Sequence, residues 1–207
     1  MNYNTVILAG GVFPTHDVPM SYIRNADRII CCDGGNIGNL LNLGREPYAI
    51  VGDMDSINTE LADRYADRIF IDNDQETNDL TKAVNWCINR GFNDIVITGA
   101  TGKREDHTLG NISLLAEYCK QANAIMATDA GIFKAYYNSV EIETFPGQQV
   151  SIFSIDSDTE ITFRGLKYPL NKAKLTNWWV ATLNEALGNN IFLDFKQGRI
   201  LVFLKYM

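Results

Sequence analysis

The amino-acid sequence predicts a doubly wound, mostly parallel α/β domain followed by a smaller all-β domain, and two patterns carry that prediction. Up to about residue 130, short apolar runs alternate with segments of helical spacing, the order that lays helices on both faces of a parallel sheet with right-handed crossovers. From about residue 132 the apolar period falls from 3.6 to 2, the mark of half-buried antiparallel strands. With 207 residues, 46% hydrophobic and 21% charged, the chain has enough apolar material for a sizeable core in one large or two modest domains. The expected division is residues 1–135 and 136–207.

The elements follow in order. Thr5-Val6-Ile7-Leu8-Ala9 is an apolar run ending in Gly10-Gly11, a buried strand and a glycine loop. Arg28 to Cys32 repeats the pattern, ends in Asp33-Gly34-Gly35-Asn36, and is followed by Ile37, Leu40, Leu41 and Leu43 at helical spacing up to Gly44. Ala49-Ile50-Val51 leads into Gly52-Asp53-Met54-Asp55-Ser56, where Gly52 is expected to let the backbone turn sharply at the strand end. Asn58 caps a short helix through Tyr65, and Arg68 to Ile71 forms a further strand. An acidic segment from Asp72 to Asp79 precedes a helix from about Asp79 to Asn89, whose Leu80, Ala83, Val84, Cys87 and Ile88 share one side. Ile95 to Thr98 is a strand, residues 99–104 a glycine loop, Leu109 to Cys119 an amphipathic helix, and Ala124 to Ala127 the last strand of the series. Beyond it, Val140 to Phe145, Val150 to Ser154 and Glu160 to Phe163 alternate, and Asn190 to Phe195 and Arg199 to Phe203 flank Lys196-Gln197-Gly198 as an expected hairpin.

A net charge of −7 argues against a general nucleic-acid binder, which needs Lys and Arg to displace counterions from phosphates. Cys31, Cys32, Cys87 and Cys119 form no CxxC pair and have apolar neighbours, so they are expected to be reduced core residues of a cytoplasmic protein, and no zinc site is expected. Met1 to Val12 lacks a basic leader and no apolar stretch approaches the roughly 18 residues of a membrane span, so no membrane partner is expected.

Three polar constellations follow strands of the α/β domain, and chain alternation puts them on one sheet edge. The first is Asp53 with Asp55. Two carboxylates about 4 Å apart repel by roughly 4 kcal/mol at an effective dielectric of about 20, a cost that a hard cation such as Mg2+ removes while gaining oxygen ligands. The alternative reading is an acidic surface turn that caps the next helix. The second is Asp74, Gln75 and Asp79, which also reads as a solvated capping loop. In the third, the glycine loop carries Lys103, a point charge, and Arg104, whose fork binds phosphate bidentately, ahead of Asp106, which also reads as a helix cap. Together they offer carboxylates for Mg2+, donors for phosphate oxygens and backbone N–H groups at helix N-termini, a combination that suits phosphoryl transfer. His107 and His16 are not taken as bases, and no partner is assigned to His16.

In order along the chain, DGGN (Asp33 to Asn36), GDMDS (Gly52 to Ser56), DQETNDLTKA (Asp74 to Ala83), GKREDHTLGN (Gly102 to Asn111), GLKYPL (Gly165 to Leu170) and the pair Asn184-Glu185 resemble the thiamine pyrophosphokinases. The resemblance implies a homodimeric enzyme with an α/β nucleotide-binding domain and a β-sandwich that binds thiamine and dimerises. Its reaction moves the pyrophosphoryl group of ATP, the co-substrate, onto the hydroxyl of thiamine, giving thiamine diphosphate and AMP. It further implies that Asp53, Asp55 and Asp79 hold Mg2+ and phosphates, that Gln75 assists, and that Arg104 and Asp106 complete the ATP site. Asp33, Asn36, Lys82 and Lys103 fall in the same motifs as binding residues. Trp178 or Trp179 would stack on thiamine with help from Asn184. Asp106 or an Asp of the metal cluster would accept the proton. Asn78 stands where the family usually has Thr, Glu76 where Asp is common, Lys103 where glycine is frequent, and Leu183 where a serine is expected. Two other readings are a Mg2+-dependent phosphatase with Asp53 as aspartyl nucleophile and a non-catalytic thiamine- or nucleotide-binding protein.

Overall fold

Strand pairing in the first half of the chain is parallel throughout, as near-continuous apolar runs without alternation require. The structure, a computed structural model, describes residues 3–207. They divide into two compact units, residues up to Leu114 with Gln121–Asp129, and Leu115–Lys120 with Ala130–Met207.

In the first unit the strands are β1 (Thr5–Leu8), β2 (Arg28–Cys32), β3 (Ala49–Gly52), β4 (Ile69–Ile71), β5 (Asp94–Thr98) and β6 (Asn123–Ala127), in the order β6-β5-β1-β2-β3-β4. Val6, Ile7, Ile30, Ile50, Val96 and Ile97 are fully buried. The chain leaves β1 on one side through β2, β3 and β4 and returns on its other side through β5 and β6. The order therefore reverses between β1 and β5, and in open α/β sheets ligands bind outside the carboxyl ends of the strands at such a switch. The helices are α1 (Asp17–Asn25), α2 (Ile37–Asn42), α3 (Thr59–Arg64), α4 (Asp79–Ile88) and α5 (Glu105–Tyr118). Asn58 and Asn78 cap α3 and α4 by accepting from the backbone N–H of Leu61 and Thr81. Leu80, Ala83, Val84 and Cys87 bury one side of α4, as their spacing predicts.

Helix α1 was not legible in the sequence. Only Pro19, Met20 and Ile23 of its nine residues are buried, too sparse an apolar face to stand out, and its N-cap is His16, whose Nδ1 accepts from Val18 N at 3.2 Å. The histidine without an expected partner is thus a capping residue.

The second unit contains β7 (Gly131–Tyr136), β8 (Val140–Glu143), β9 (Gln149–Ser154), β10 (Glu160–Arg164), β11 (Leu170–Lys174), β12 (Asn184–Glu185), β13 (Asn190–Asp194) and β14 (Ile200–Lys205). One antiparallel set runs β12-β9-β14-β7, and a four-stranded sheet runs β11-β10-β13-β8. Ile152, Ile200 and Val202 from the first set and Ile161, Phe163, Ile191 and Leu193 from the second fill one core, which makes this unit a β-sandwich. The expected hairpin across Lys196-Gln197-Gly198 is overturned: β13 pairs with β10 and β8, β14 with β7 and β9. Both strands alternate as hairpin strands do, but each turns its apolar side into the core from a different sheet, and the connection crosses between sheets. The α/β domain and the following all-β domain are as the sequence predicts.

Candidate active site

The carboxyl ends of β1, β2, β3 and β5 surround a cavity of about 500 Å³ lined by Gly10, Gly11, Asp33, Gly35, Asp53, Asp55, Asp74, Gln75, Asp79, Lys82, Lys103, Arg104 and Asn111, among others. The three constellations, expected on one sheet edge, meet here with the Asp33 loop, except that Asp106 is not among the lining residues.

Backbone strain is concentrated in these loops. Of the five described non-glycine residues at positive φ, Asp33 (49°), Met54 (68°) and Lys103 (61°) each sit in a loop of this cavity. The sharp turn expected at Gly52 therefore falls at Met54, and Gly52 is glycine for a different reason. A Cβ there would lie 3.1 Å from Asp33 Cβ and 3.2 Å from Asp79 Oδ1, tight enough to push those two side chains a few tenths of an ångström away from the end of β3.

The resemblance points to Asp53, Asp55 and Asp79 as the metal trio; the trio that converges is Asp33, Asp53 and Asp79, each offering an oxygen within 4.8 Å of the others. Asp33 is 4% exposed, its Oδ2 accepting from Ser56 N at 3.0 Å and from the Ser56 hydroxyl, while its Oδ1 is buried without a hydrogen-bond partner. A buried, unpartnered carboxylate oxygen beside two further carboxylates is a donor set of the kind that suits a hard cation. Asp55 lies on the exposed side of this group. Its carboxyl is raised above the usual range, first by hydrogen bonding with Asp33, then by the charges of Asp53 and Asp33.

Lys82, one turn into α4, is the cation present in the cluster. Its side chain is 3% exposed, and Nζ donates to Asp79 Oδ1 at 3.1 Å and stands 3.7 Å from Asp53 Oδ2. Burial opposes its charge, but the hydrogen bond and charge of Asp79, then Asp53 and Asp72, raise its pKa above the ordinary lysine value.

Several expected ligand residues are already engaged within the protein. Asn36 donates through Nδ2 to Ala9 O at 2.6 Å and Gly11 O at 3.1 Å, and Lys103 Nζ donates to Gly10 O at 2.8 Å. Both hold the glycine loop after β1 in place. Arg104 forms a two-point pair with Asp106, Nε to Oδ1 at 3.1 Å and Nη2 to Oδ2 at 2.5 Å, and Asp106 Oδ1 also accepts from His107 N at 2.9 Å. These bonds hold the Asp106 carboxyl at about 2, the Arg104 pair contributing most and the His107 N–H next, which makes it a poor proton acceptor. Asp74 spends its oxygens on Glu76 N and the Thr77 hydroxyl, which lowers its pKa, and Gln75 is exposed in the same loop. Asn78, at the family's usual Thr, caps α4 and donates to Asn111 Oδ1 at 3.1 Å, so the departure retains a helix cap.

In the second unit Asn184 is buried, with Oδ1 accepting from Tyr168 N and Glu185 N and Nδ2 donating to Tyr168 O, a clamp on the loop before β11. Trp178 is 39% exposed and meets the Phe153 ring edge-on at 5.9 Å, whereas Trp179 is 73% exposed. Leu183 is strongly exposed at φ 56°, its N–H donating to the Ser151 hydroxyl, so a serine hydroxyl reaches this turn from β9.

Two family models match this chain, the thiamin pyrophosphokinase catalytic domain over residues 20–127 and the thiamin pyrophosphokinase substrate-binding domain over residues 131–203. The chain belongs to the thiamin pyrophosphokinase family. It is 29% identical to the thiamine pyrophosphokinase of Bacillus subtilis over 208 aligned positions, 95% of either chain. It is 27% identical to thiamin pyrophosphokinase 1 of Caenorhabditis elegans over 170 positions, 76% of this chain and 69% of that one. A crystal structure of the Bacillus subtilis thiamine pyrophosphokinase superposes with a TM-score of 0.79, at 24% identity and covering 97% of this chain and 98% of the other, which supports the shared fold. Membership of this family favours an enzyme that makes thiamine diphosphate over the aspartyl-phosphatase and non-catalytic readings.

Proposed function

We propose that this family member transfers the pyrophosphoryl group of ATP to the hydroxyl of thiamine, releasing AMP, in the cavity at the β1–β5 switch point. The observation that carries the reading is the convergence of Asp33, Asp53 and Asp79 beside two glycine loops, in a chain matched by both family models. The donor set, three carboxylates with one orphaned buried oxygen, fits Mg2+, a hard cation that prefers oxygen ligands. Asp33, Asp53 and Asp79 would hold it, and when bound it would neutralise charge on the phosphates.

The chain's own groups do the rest. The thiamine hydroxyl oxygen attacks the β-phosphorus of ATP, the bond from that phosphorus to the α,β-bridging oxygen breaks, and AMP leaves with that oxygen. Asp55, solvent-facing beside the carboxylate trio, takes the hydroxyl proton in preference to Asp106, whose oxygens are spent on Arg104 and the His107 N–H. The glycine loop after β1, held by Asn36 and Lys103, lines the phosphate side, and Lys82 adds a fixed positive charge. No covalent intermediate on the protein is needed, because positioning and charge neutralisation carry most of such a transfer.

We assign thiamine recognition and dimerisation to the β-sandwich, a reading supported by the exposure of Trp178, Trp179, Val180 and Leu187. Four free cysteines support a reducing, cytoplasmic setting. The net charge of −7 supports small-molecule rather than nucleic-acid partners. Among the described residues no helix is long and apolar enough to cross a membrane. The test is incubation with ATP, thiamine and Mg2+. Equimolar AMP and thiamine diphosphate are expected; ADP or inorganic phosphate in their place would refute the reading.

A further inference from the structure

The carboxylate trio is not left uncompensated, and the identity of its compensating group has a consequence. Lys82 is the fourth residue of α4 and Asp79 the first, so one helical turn fixes the pair, and the lysine stem is enclosed to 3% exposure. An ammonium buried this deeply is tolerable only with its carboxylate partners, which hold it at the wall of the cavity. Its partners are Asp79 at 3.1 Å and Asp53 at 3.7 Å, two of the three groups whose oxygens converge.

We propose that Lys82 is a built-in counter-cation that weakens binding of a free divalent ion to the nucleotide-free site and strengthens binding of the ion when it arrives on a nucleoside triphosphate. A divalent ion sharing Asp53 and Asp79 must sit close to a fixed positive charge, which costs it affinity. A polyphosphate brings negative charge that Lys82 and the ion both attract. Lys82 thus tilts the site from the bare ion toward the ion–nucleotide complex: it repels the first and attracts the phosphates of the second. The proposal rests on the divalent-ion reading above, but involves neither thiamine nor turnover.

The experiment is a titration with Mn2+, free ion being read by electron paramagnetic resonance, first alone and then with a non-hydrolysable ATP analogue. It compares the native chain with Lys82→Met, Lys82→Gln and Lys82→Arg. Lys82→Met is expected to bind Mn2+ alone about tenfold more tightly than the native chain, because a repelling charge is gone, and the Mn2+–analogue complex about tenfold more weakly. Lys82→Arg, which keeps the charge, should stay near the native values. A merely structural role would weaken both titrations together. Lys82→Gln keeps a polar partner for Asp79 and gives the same comparison where the methionine variant does not fold, as judged by circular dichroism. Unchanged or weaker binding of Mn2+ alone in the folded neutral variants overturns the proposal. A native chain that makes thiamine diphosphate while its neutral Lys82 variants show unaltered Mn2+ binding would refute this inference and leave the functional reading standing.

Discussion

Asn36 spans from the end of β2 to the end of β1, its Nδ2 donating to Ala9 O at 2.6 Å while its Oδ1 accepts from Asn39 Nδ2 at 2.9 Å. The residue is 2% exposed, so its amide is committed to the protein and acts on any ligand through the loop it holds. That loop is tightly packed as well: a Cβ on Gly11 would come within 2.5 Å of the carbonyl oxygens of Gly99 and Thr101, and one on Gly35 within 2.6 Å of Gly10 Cα.

Asn36→Ala should therefore raise KM for ATP several-fold with a much smaller change in KM for thiamine. It should also cost roughly 1 to 3 kcal/mol of stability, since the Ala9 and Gly11 carbonyls lose a buried donor. Steady-state kinetics with each substrate varied, beside chemical denaturation, check both. Equal changes in the two KM values would show that Asn36 does not act through the nucleotide loop.

Asp55→Asn should reduce turnover by more than an order of magnitude and leave the fold intact or slightly more stable. The carboxyl is exposed, and its pKa is raised first by hydrogen bonding with Asp33 and then by the charges of Asp53 and Asp33, so an amide there removes the like-charge repulsion and also the proposed proton acceptor. Thermal melting and kcat, measured at saturating Mg2+, separate these effects; native turnover in the variant would exclude the role. Chelation of divalent ions with EDTA should abolish turnover in the native chain and restore it on adding excess Mg2+.

A pH effect is expected away from the site. Arg199 donates from Nε and from its backbone N–H to Asp156 Oδ2, at 3.0 and 2.8 Å, and its Nη1 donates to Glu117. The Arg199 side chain, then its backbone N–H, hold the Asp156 carboxyl below the usual range, against some opposition from burial. Because the folded pKa lies below the unfolded value of about 3.9, the stabilisation is fully present above that value and is lost as pH falls through the folded one. The native chain should thus lose stability below about pH 4 more steeply than Asp156→Asn. At neutral pH the variant should be less stable by about 1 kcal/mol, a modest figure because water screens the pair. Denaturation midpoints from pH 3 to pH 7 decide it; parallel pH profiles would rule out the linkage.

The parallel strands were legible because apolar runs such as Ile29 to Cys32 and Ile95 to Thr98 are buried on both faces. The cavity was legible because its residues follow those strands immediately in sequence. What sequence spacing does not contain is the division of labour inside it. That Asp33 joins Asp53 and Asp79 depends on the bare Cα of Gly52 and on a positive φ at Asp33, neither of which has a periodic signature. Asn36, Lys103 and Asn184 read as ligand residues because their motifs do, and each also bonds backbone carbonyls or N–H groups nearby, a structural task that spacing does not show. The partners of β13 and β14 were hidden for a related reason: an alternating strand shows which of its sides is buried, not which sheet it joins.

The two tryptophans can be told apart by packing. Trp178 is partly covered and meets the Phe153 ring edge-on at 5.9 Å, an aromatic contact worth about 0.5 to 1.5 kcal/mol beyond its buried area. Trp179, at 73% exposure, has most of its surface free in this chain, so its native structure owes that indole little. Trp178→Ala should therefore lower stability by roughly 1 to 3 kcal/mol, and any effect on kinetics should accompany that loss. Trp179→Ala should leave the denaturation midpoint nearly unchanged while raising KM for thiamine about tenfold, the weight of a desolvated cation–π contact with the thiazolium. Trp179→Phe keeps an aromatic face and should recover most of that loss, which a merely space-filling role would not require. If Trp179→Ala left KM for thiamine at the native value, stacking by Trp179 would be excluded, and Trp178 would be the remaining aromatic candidate of the pair.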